Sequence, residues 1–306
     1  MTSYKVTPGK STVIMGGQYG SEGKGEIAAY LANGNGDMMY SASVRTGGPN
    51  AGHTVTLEDG RKMKFRHVPC AAINEDIALY LGPGALVNTK VLDDEIYALA
   101  KLGIYNVDGK LHIDPMATIV TEEHSAIEND AGIRESIGST REGIGAARAQ
   151  KIMREGQIWS NSRNRINTAH ELNRVLNSGG NVLVESSQGF GLSLEASGNY
   201  PYVTSANLTP GHILGDAGLS SRINHEVIAV MRTFPIRVHG NSGPLPHEIS
   251  WETLYEESKG ISPIDGERTT VTQLVRRIGR WDHIAAAKMA EYCRPDWVAL
   301  TFLDYV

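Results

Sequence analysis

Two cysteines, Cys70 and Cys293, are too few for a disulfide framework or a thiolate metal site in a chain of 306 residues. They read as small buried apolar side chains in a reducing compartment. A basic surplus is missing too: 29 Lys and Arg stand against 34 Asp and Glu, a formal charge of −5, and the cations are scattered rather than blocked. Nucleic-acid partners demand a basic face, so neither nucleic acid nor a membrane surface is an expected partner. No apolar run approaches the roughly 18 residues of a membrane helix. Met1-Thr-Ser-Tyr-Lys-Val6 lacks the apolar stretch of a signal peptide. These absences lead us to expect a soluble protein of the cytoplasm. Internal repeats, low-complexity tracts and Pro/Gly/Ser-rich linkers are also lacking, so nothing divides the chain.

Short apolar runs alternate with helical patterns. Thr12–Met15, Ile77–Leu81, Asn181–Glu185, Val227–Arg232 and Trp297–Phe302 read as buried strands, and Asp93–Leu102, Ala169–Asn177 and Trp281–Glu291 as helices. Interleaving of this kind predicts an α/β fold: a single large domain over residues 1–306, with a central, mostly parallel sheet flanked by helices. Ser160–Asn167 and Gly240–Pro263 read as surface excursions.

Two glycine-rich segments follow strands, where open α/β sheets place their ligands. The first, Gly16-Gly-Gln-Tyr-Gly-Ser-Glu-Gly-Lys-Gly25, runs into a helical stretch. Strand, glycine turn and helix N-terminus together collect phosphate oxygens. It departs from the standard P-loop: Gln18 stands where the first glycine belongs, and Gly25 follows Lys24 where Ser or Thr is required. Glycine turns also serve plain connections, which leaves phosphate binding here an even choice. The second, Arg45-Thr-Gly-Gly-Pro-Asn-Ala-Gly-His-Thr54, joins an amide, an imidazole and a hydroxyl within five residues. Such groups bind phosphate and donate to a developing oxyanion.

Taken together the two segments resemble the adenylosuccinate synthetase family, and the resemblance continues in order down the chain. Ile137-Gly-Ser-Thr-Arg-Glu-Gly-Ile-Gly145 is similar to that family's 5′-phosphate loop, and Val184-Glu-Ser-Ser-Gln-Gly189 and Tyr200-Pro-Tyr-Val-Thr-Ser205 to its nucleotide-site segments. Arg276-Arg-Ile-Gly-Arg-Trp-Asp282 resembles its late arginine loop and Thr301-Phe-Leu-Asp304 its base-binding motif. The resemblance implies the family's P-loop-like fold and a Mg2+-dependent ligase. A nucleoside triphosphate phosphorylates O6 of a 6-oxopurine nucleotide, and the amine of L-aspartate then displaces the phosphate. Carried over residue by residue, the catalytic set is Ser21, Lys24, His53 and Gln188, with His53 as general acid. Nucleotide binding falls to Ser21, Asn50, Ser139, Thr140, Gln188 and Thr204, joined by Arg154 from the second subunit of a homodimer. Triphosphate binding falls to Gly20, Glu22, Gly23, Lys24, Gly25, Gly52, His53, Thr54, Arg276 and Asp304. Aspartate binding falls to Thr270, Thr272, Arg276 and Arg277. Ser21 and the Gly52 carbonyl are the implied Mg2+ ligands. The chain reaches Val306 where family members continue into part of the triphosphate base pocket.

Three departures from the family pattern bear on substrate. Ser21 replaces the aspartate that serves as base at purine N1. Gln273-Leu-Val275 replaces a Gly-Arg-Arg run, so Leu274 stands in for an arginine near the aspartate carboxylate and the ribose 2′-hydroxyl. Phe302 replaces a lysine in the motif that selects guanine. The three together resemble a phage branch of the family, the 2-aminoadenylosuccinate synthases. That branch uses dGMP and ATP or dATP to make a diaminopurine DNA precursor, which would place the protein in the host cytoplasm. The alternatives are a compact synthetase acting on IMP with GTP, and a catalytically silent nucleotide-binding homologue.

Overall fold

The computed structural model describes residues 9–57, 59–160, 164–269 and 273–306. Its frame is a seven-stranded sheet built from β1 (Ser11–Gly16), β2 (Tyr40–Arg45), β3 (Ala78–Leu81), β4 (Leu111–Ile113), β5 (Asn181–Gly189), β6 (His225–Arg232) and β7 (Trp297–Thr301), in the order β7-β6-β1-β5-β2-β3-β4. Every neighbouring pair is parallel. Successive side chains of a strand point to opposite faces. Ile14, Leu79, Leu81, Leu183 and Val230 accordingly enter one core with the helix α1 (Lys24–Ala32). Val13, Met15, Val44, Val182 and Val184 enter another, covered by α5 (Thr168–Asn177) and α8 (His283–Cys293). Two apolar faces explain the unbroken runs of the strand sequences, and each fully buried Leu, Ile or Val contributes on the order of 1.5–3 kcal/mol.

The remaining long helices are α2 (Thr89–Lys101), α3 (Glu122–Asp130), α4 (Ile144–Met153), α6 (Pro210–Asp216) and α7 (Trp251–Glu257). Caps set their starts and explain the offsets from the periodicity. The Asn88 side chain accepts from Val91 N at 3.1 Å, so α2 begins at Thr89 rather than Asp93. The Asp282 carboxylate accepts from Ile284 N and Ala285 N, so α8 begins at His283 rather than Trp281. The 240–263 segment is not a plain excursion. It holds α7 and the short strand Glu248–Ile249, which pairs antiparallel with Arg277–Gly279. Leu254 and Trp251 bury that helix against Ile236 and Ile278. Residues 161–163 of the other expected excursion lie outside the described residues. Among the described residues no helix is long and apolar enough to cross a membrane.

A parallel sheet sends all its strands toward one edge. Gly16, Arg45, Gly189, Arg232 and Thr301 therefore finish along the same rim, and the loops leaving that rim form the site.

Candidate active site

The loop between β1 and α1 is organised by a carboxylate. Glu22 is fully buried, its Oε1 accepts from Gln18 N (3.1 Å) and Gly20 N (2.8 Å), and its Oε2 accepts from Lys24 Nζ at 2.6 Å. The Glu22 side chain thus shapes the loop from inside. Gly23, at φ 90°, starts α1 with no side chain capping its first amides, which leaves them for an anion. A Cβ on Gly25 would lie 2.8 Å from Thr54 O and 2.9 Å from His53 Cβ. The Ser or Thr of a standard P-loop has no room there, because the His53 strand packs directly on the helix start.

His53 is held by a buried charge cluster where Arg45, at the end of β2, faces Glu185 of β5. Its Nδ1 lies 2.5 Å from Glu185 Oε1, and Glu185 also accepts from Arg45 Nη1 (3.1 Å), Cys70 N (2.7 Å) and Cys70 Sγ (3.2 Å). Burial opposes ionisation of Glu185, but Arg45 and His53 hold its carboxyl down at about 2. Burial, reinforced by Arg45, pushes the imidazole down to about 4. At neutral pH the carboxylate can only accept, so Nδ1 carries the proton and Nε2 presents a lone pair. That Nε2 finds no partner among the described residues. An acid role for His53 therefore requires a proton first, which an arriving phosphoryl anion favours.

His53, Cys70 and Glu185 bring three potential metal-ligand atoms together. They do not suit Mg2+, which takes oxygen donors: one is a sulfur and one a nitrogen, and Glu185 is already committed to Arg45. Ser21 and Gly52, both lining the cleft, offer neutral oxygens beside the phosphate loop, the hard donors a Mg2+ shared with phosphates and water accepts.

These elements face a cleft of about 1050 Å³, at the upper end of small-molecule sites. It brings together Gly20, Ser21, Gly23, Lys24, Gly25, Asn50, Gly52, His53, Thr54, Ser139, Thr140, Gln188, Thr204 and Arg276. Ser21 is exposed there in a left-handed conformation (φ 58°). Gln188, also left-handed at φ 64°, has an Oε1 that is buried without a hydrogen-bond partner among the described residues. The N-terminus of α4 is already occupied: Glu128 accepts from Gly143 N at 2.8 Å and Gly145 N at 2.7 Å. An anion at this loop must be met by Ser139 and Thr140 instead.

Other expected residues stand elsewhere. Arg277 turns from the cleft to Glu248, 2.6 Å away. Asp304 is exposed on a short turn of helix, and Arg154 is exposed at the end of α4 with φ 68°. Thr270 and Thr272 lie outside the described residues. Leu274 and Phe302 both line the cleft.

Sequence reasoning passed over Glu185, Arg232, Glu267 and Arg237. Arg232 is fully buried, bonds Glu267 twice (2.6 and 3.1 Å) and stacks 3.7 Å from the Phe302 ring centre. Arg237 stacks on Tyr19 and donates to Tyr202 O at 3.2 Å, and burial pushes its pKa down to about 10. In the sequence Glu185 and Arg232 each close an apolar run, a pattern that a plain strand boundary shares.

A sequence model of the adenylosuccinate synthetase family matches residues 13–165 and 160–306. The adenylosuccinate synthetase of Methanococcus maripaludis strain C6 is 37% identical over 299 residues, covering 96% of this chain and 84% of that protein. That of Pyrococcus horikoshii is 35% identical over 300 residues, with the same coverage. Among solved structures, the cyanophage S-2L succinoaminodeoxyadenylate synthetase, bound to dGMP and to dATP as energy donor, superposes with a TM-score of 0.81 at 29% identity, over 96% of this chain and 84% of that one. The fully ligated Plasmodium falciparum adenylosuccinate synthetase shares the fold at TM-score 0.83 and 23% identity, over 97% and 78%. The chain belongs to the adenylosuccinate synthetase family. It is a ligase that forms a C–N bond between a purine nucleotide and aspartate with consumption of a nucleoside triphosphate.

Proposed function

We propose that this ligase condenses dGMP with L-aspartate at the expense of ATP or dATP, through a 6-phosphoryl intermediate. The product is N6-succino-2-amino-2′-deoxyadenylate, a precursor for diaminopurine DNA. Ser21 carries the reading. A short, uncharged side chain is exposed in the cleft where the family resemblance places an aspartate at the N1 edge. Beside N1 lies C2, and guanine differs from hypoxanthine only by the amino group there. Supporting it, the cyanophage enzyme that superposes on this chain was bound to dGMP and dATP. Leu274, an apolar group in the cleft, suits a ribose without its 2′-hydroxyl, and Phe302 replaces a guanine-selecting lysine.

Within this reading Lys24 and the first amides of α1 take the transferring phosphoryl group. Gln188 Oε1, an acceptor without a protein partner among the described residues, takes the hydrogen bond from N1–H. Lys24, which lines the same cleft, stabilises the oxyanion that forms at O6 as the N1 proton passes to cleft water. Ser139, Thr140, Asn50 and Thr204 hold the nucleotide, and Arg276 the aspartate carboxylate. Ser21 and the Gly52 carbonyl, with phosphates and water, would hold Mg2+, which would supply positive charge against the phosphates. A second copy of the chain covers the end of α4, where Ile152 and Met153 are 74% and 65% exposed beside Arg154. Arg154 then reaches the partner's nucleotide. We place the reaction in the cytoplasm.

The 35–37% identity to adenylosuccinate synthetases supports a second reading, turnover of IMP with GTP. Phosphate release with Mg2+ and aspartate separates them when dGMP and IMP are run in parallel, each with ATP and with GTP. Turnover with dGMP alone is expected. Turnover with IMP alone refutes the proposal, and silence with both leaves a nucleotide-binding homologue.

A further inference from the structure

Arg232 ends β6 and joins two loops that the sequence keeps far apart. On one side its backbone N–H donates to Gln18 Oε1 and its carbonyl accepts from Gln18 Nε2, both at 3.0 Å. Its Nη1 donates to Ser21 O at 3.3 Å. Two residues of the phosphate loop are thereby fixed to one arginine. On the other side Nη1 and Nη2 grip Glu267, whose carboxylate also accepts from Arg276 Nη1 (3.3 Å) and Tyr305 Oη (3.2 Å). Arg276 N closes the far end on Glu267 O at 2.8 Å. The guanidinium is wholly buried and lies against the Phe302 ring, while Thr301 Oγ1 holds Glu22 O at 2.7 Å.

We infer that Arg232 is a positioning residue that couples the phosphate loop to the loop carrying Arg276, so that a filled triphosphate site tightens aspartate binding. This rests on the reading of those two loops given above. A planar guanidinium with its donors divided between Ser21 O and both Glu267 oxygens cannot follow one loop without moving the other. Phe302 closes one face and the packed interior leaves no slack. A ligand that fixes the Ser21 carbonyl therefore fixes Glu267 and, through it, the Arg276 fork. The coupling is reciprocal: aspartate tightens the triphosphate by the same factor.

Calorimetry of aspartate binding to the dGMP-loaded full chain tests this, with and without Mg2+ and a non-hydrolysable ATP analogue. In the unmodified protein the analogue is expected to tighten aspartate on the order of tenfold. Arg232→Lys keeps the charge but loses the fork, and Glu267→Gln keeps the shape but loses the charge. Each reduces the ratio below about twofold, and the double variant goes no lower than either single one. Tyr305→Phe, the mildest change, lowers the ratio in the same direction if the other two fail to fold. An unchanged ratio in the folded variants overturns the inference, as does equal aspartate affinity with and without the analogue in the unmodified protein. Aspartate binding by neither the dGMP-loaded nor the IMP-loaded protein refutes the reading of the loops, and the coupling with it.

Discussion

Replacing Glu185 by Gln probes the centre of the site without changing its volume. The carboxylate is fully buried and accepts from Arg45, His53 and Cys70 at 2.5–3.2 Å. An amide has one acceptor oxygen in place of two, so one of its contacts becomes donor against donor. Arg45, only 2% exposed, also loses its counter-ion. Breaking a buried pair by removing one charge costs about 3–5 kcal/mol. At about 2 °C per kcal/mol for a chain of this size, the melting temperature falls by about 5–10 °C. The second effect is on the imidazole. Where the amide NH2 faces Nδ1, the ring must accept there and carry its proton on Nε2, which inverts what it shows the phosphoryl group. Loss of correctly oriented acid–base assistance lowers kcat by about 10²–10⁴. Thermal melts and phosphate-release kinetics with aspartate in excess measure both. A variant that melts within a degree of the parent and keeps half its kcat refutes the assignment of Glu185 as the residue that orients His53.

Three further outcomes are expected. Ser21→Ala keeps the preference for dGMP over IMP while raising the Mg2+ concentration needed, whereas Ser21→Asp shifts preference toward IMP by about tenfold or more in kcat/KM, each tenfold being about 1.4 kcal/mol; an unchanged preference in the Asp variant refutes the spatial role of Ser21. Gly25→Ser drives a Cβ against Thr54 O and His53 Cβ, costing about 1–3 kcal/mol, and raises the triphosphate KM; a fully active, equally stable variant contradicts the packing. Acid destabilises the fold below neutrality. Burial pushes His53 down to about 4 and His67 to about 3, so the folded chain binds fewer protons than the unfolded one as pH falls from 6.5. Each histidine removes about 2 kcal/mol by pH 5, blunted by Glu95 and Asp216, whose carboxyls burial pushes up. Urea midpoints that stay level between pH 7 and 5 contradict it.

The buried strands were legible because both faces of a parallel sheet are apolar: Val13–Met15, Val182–Val184 and Val227–Met231 leave no other reading. β2 was not legible. Its sequence, Tyr40-Ser-Ala-Ser-Val-Arg45, is half polar because Tyr40 bonds Thr12 and Arg45 serves Glu185. The 251–257 helix was hidden within the segment read as a surface excursion, and its Ser250 cap is a signal only in retrospect. Of the site, the glycine loops and their polar residues could be read from spacing and resemblance. The buried ionic partners could not, since a charge ending an apolar strand looks like a strand boundary until the fold brings Arg45 to Glu185 and Arg232 to Glu267.

The position of β1 in the sheet governs how the chain can be made. Ser11 pairs with Val182 on one side and His225 on the other, about 170 and about 210 residues away. At roughly 5–20 residues per second, ribosomal synthesis delivers those partners about 10–40 s after β1 emerges. For that interval Val13, Ile14 and Met15 have no sheet to enter, and the phosphate loop has no rim to stand on. A nascent chain of this topology depends on whatever shields its first apolar strand, and fragments ending before residue 181 are expected to be substrates of chaperones and proteases rather than partly working enzymes.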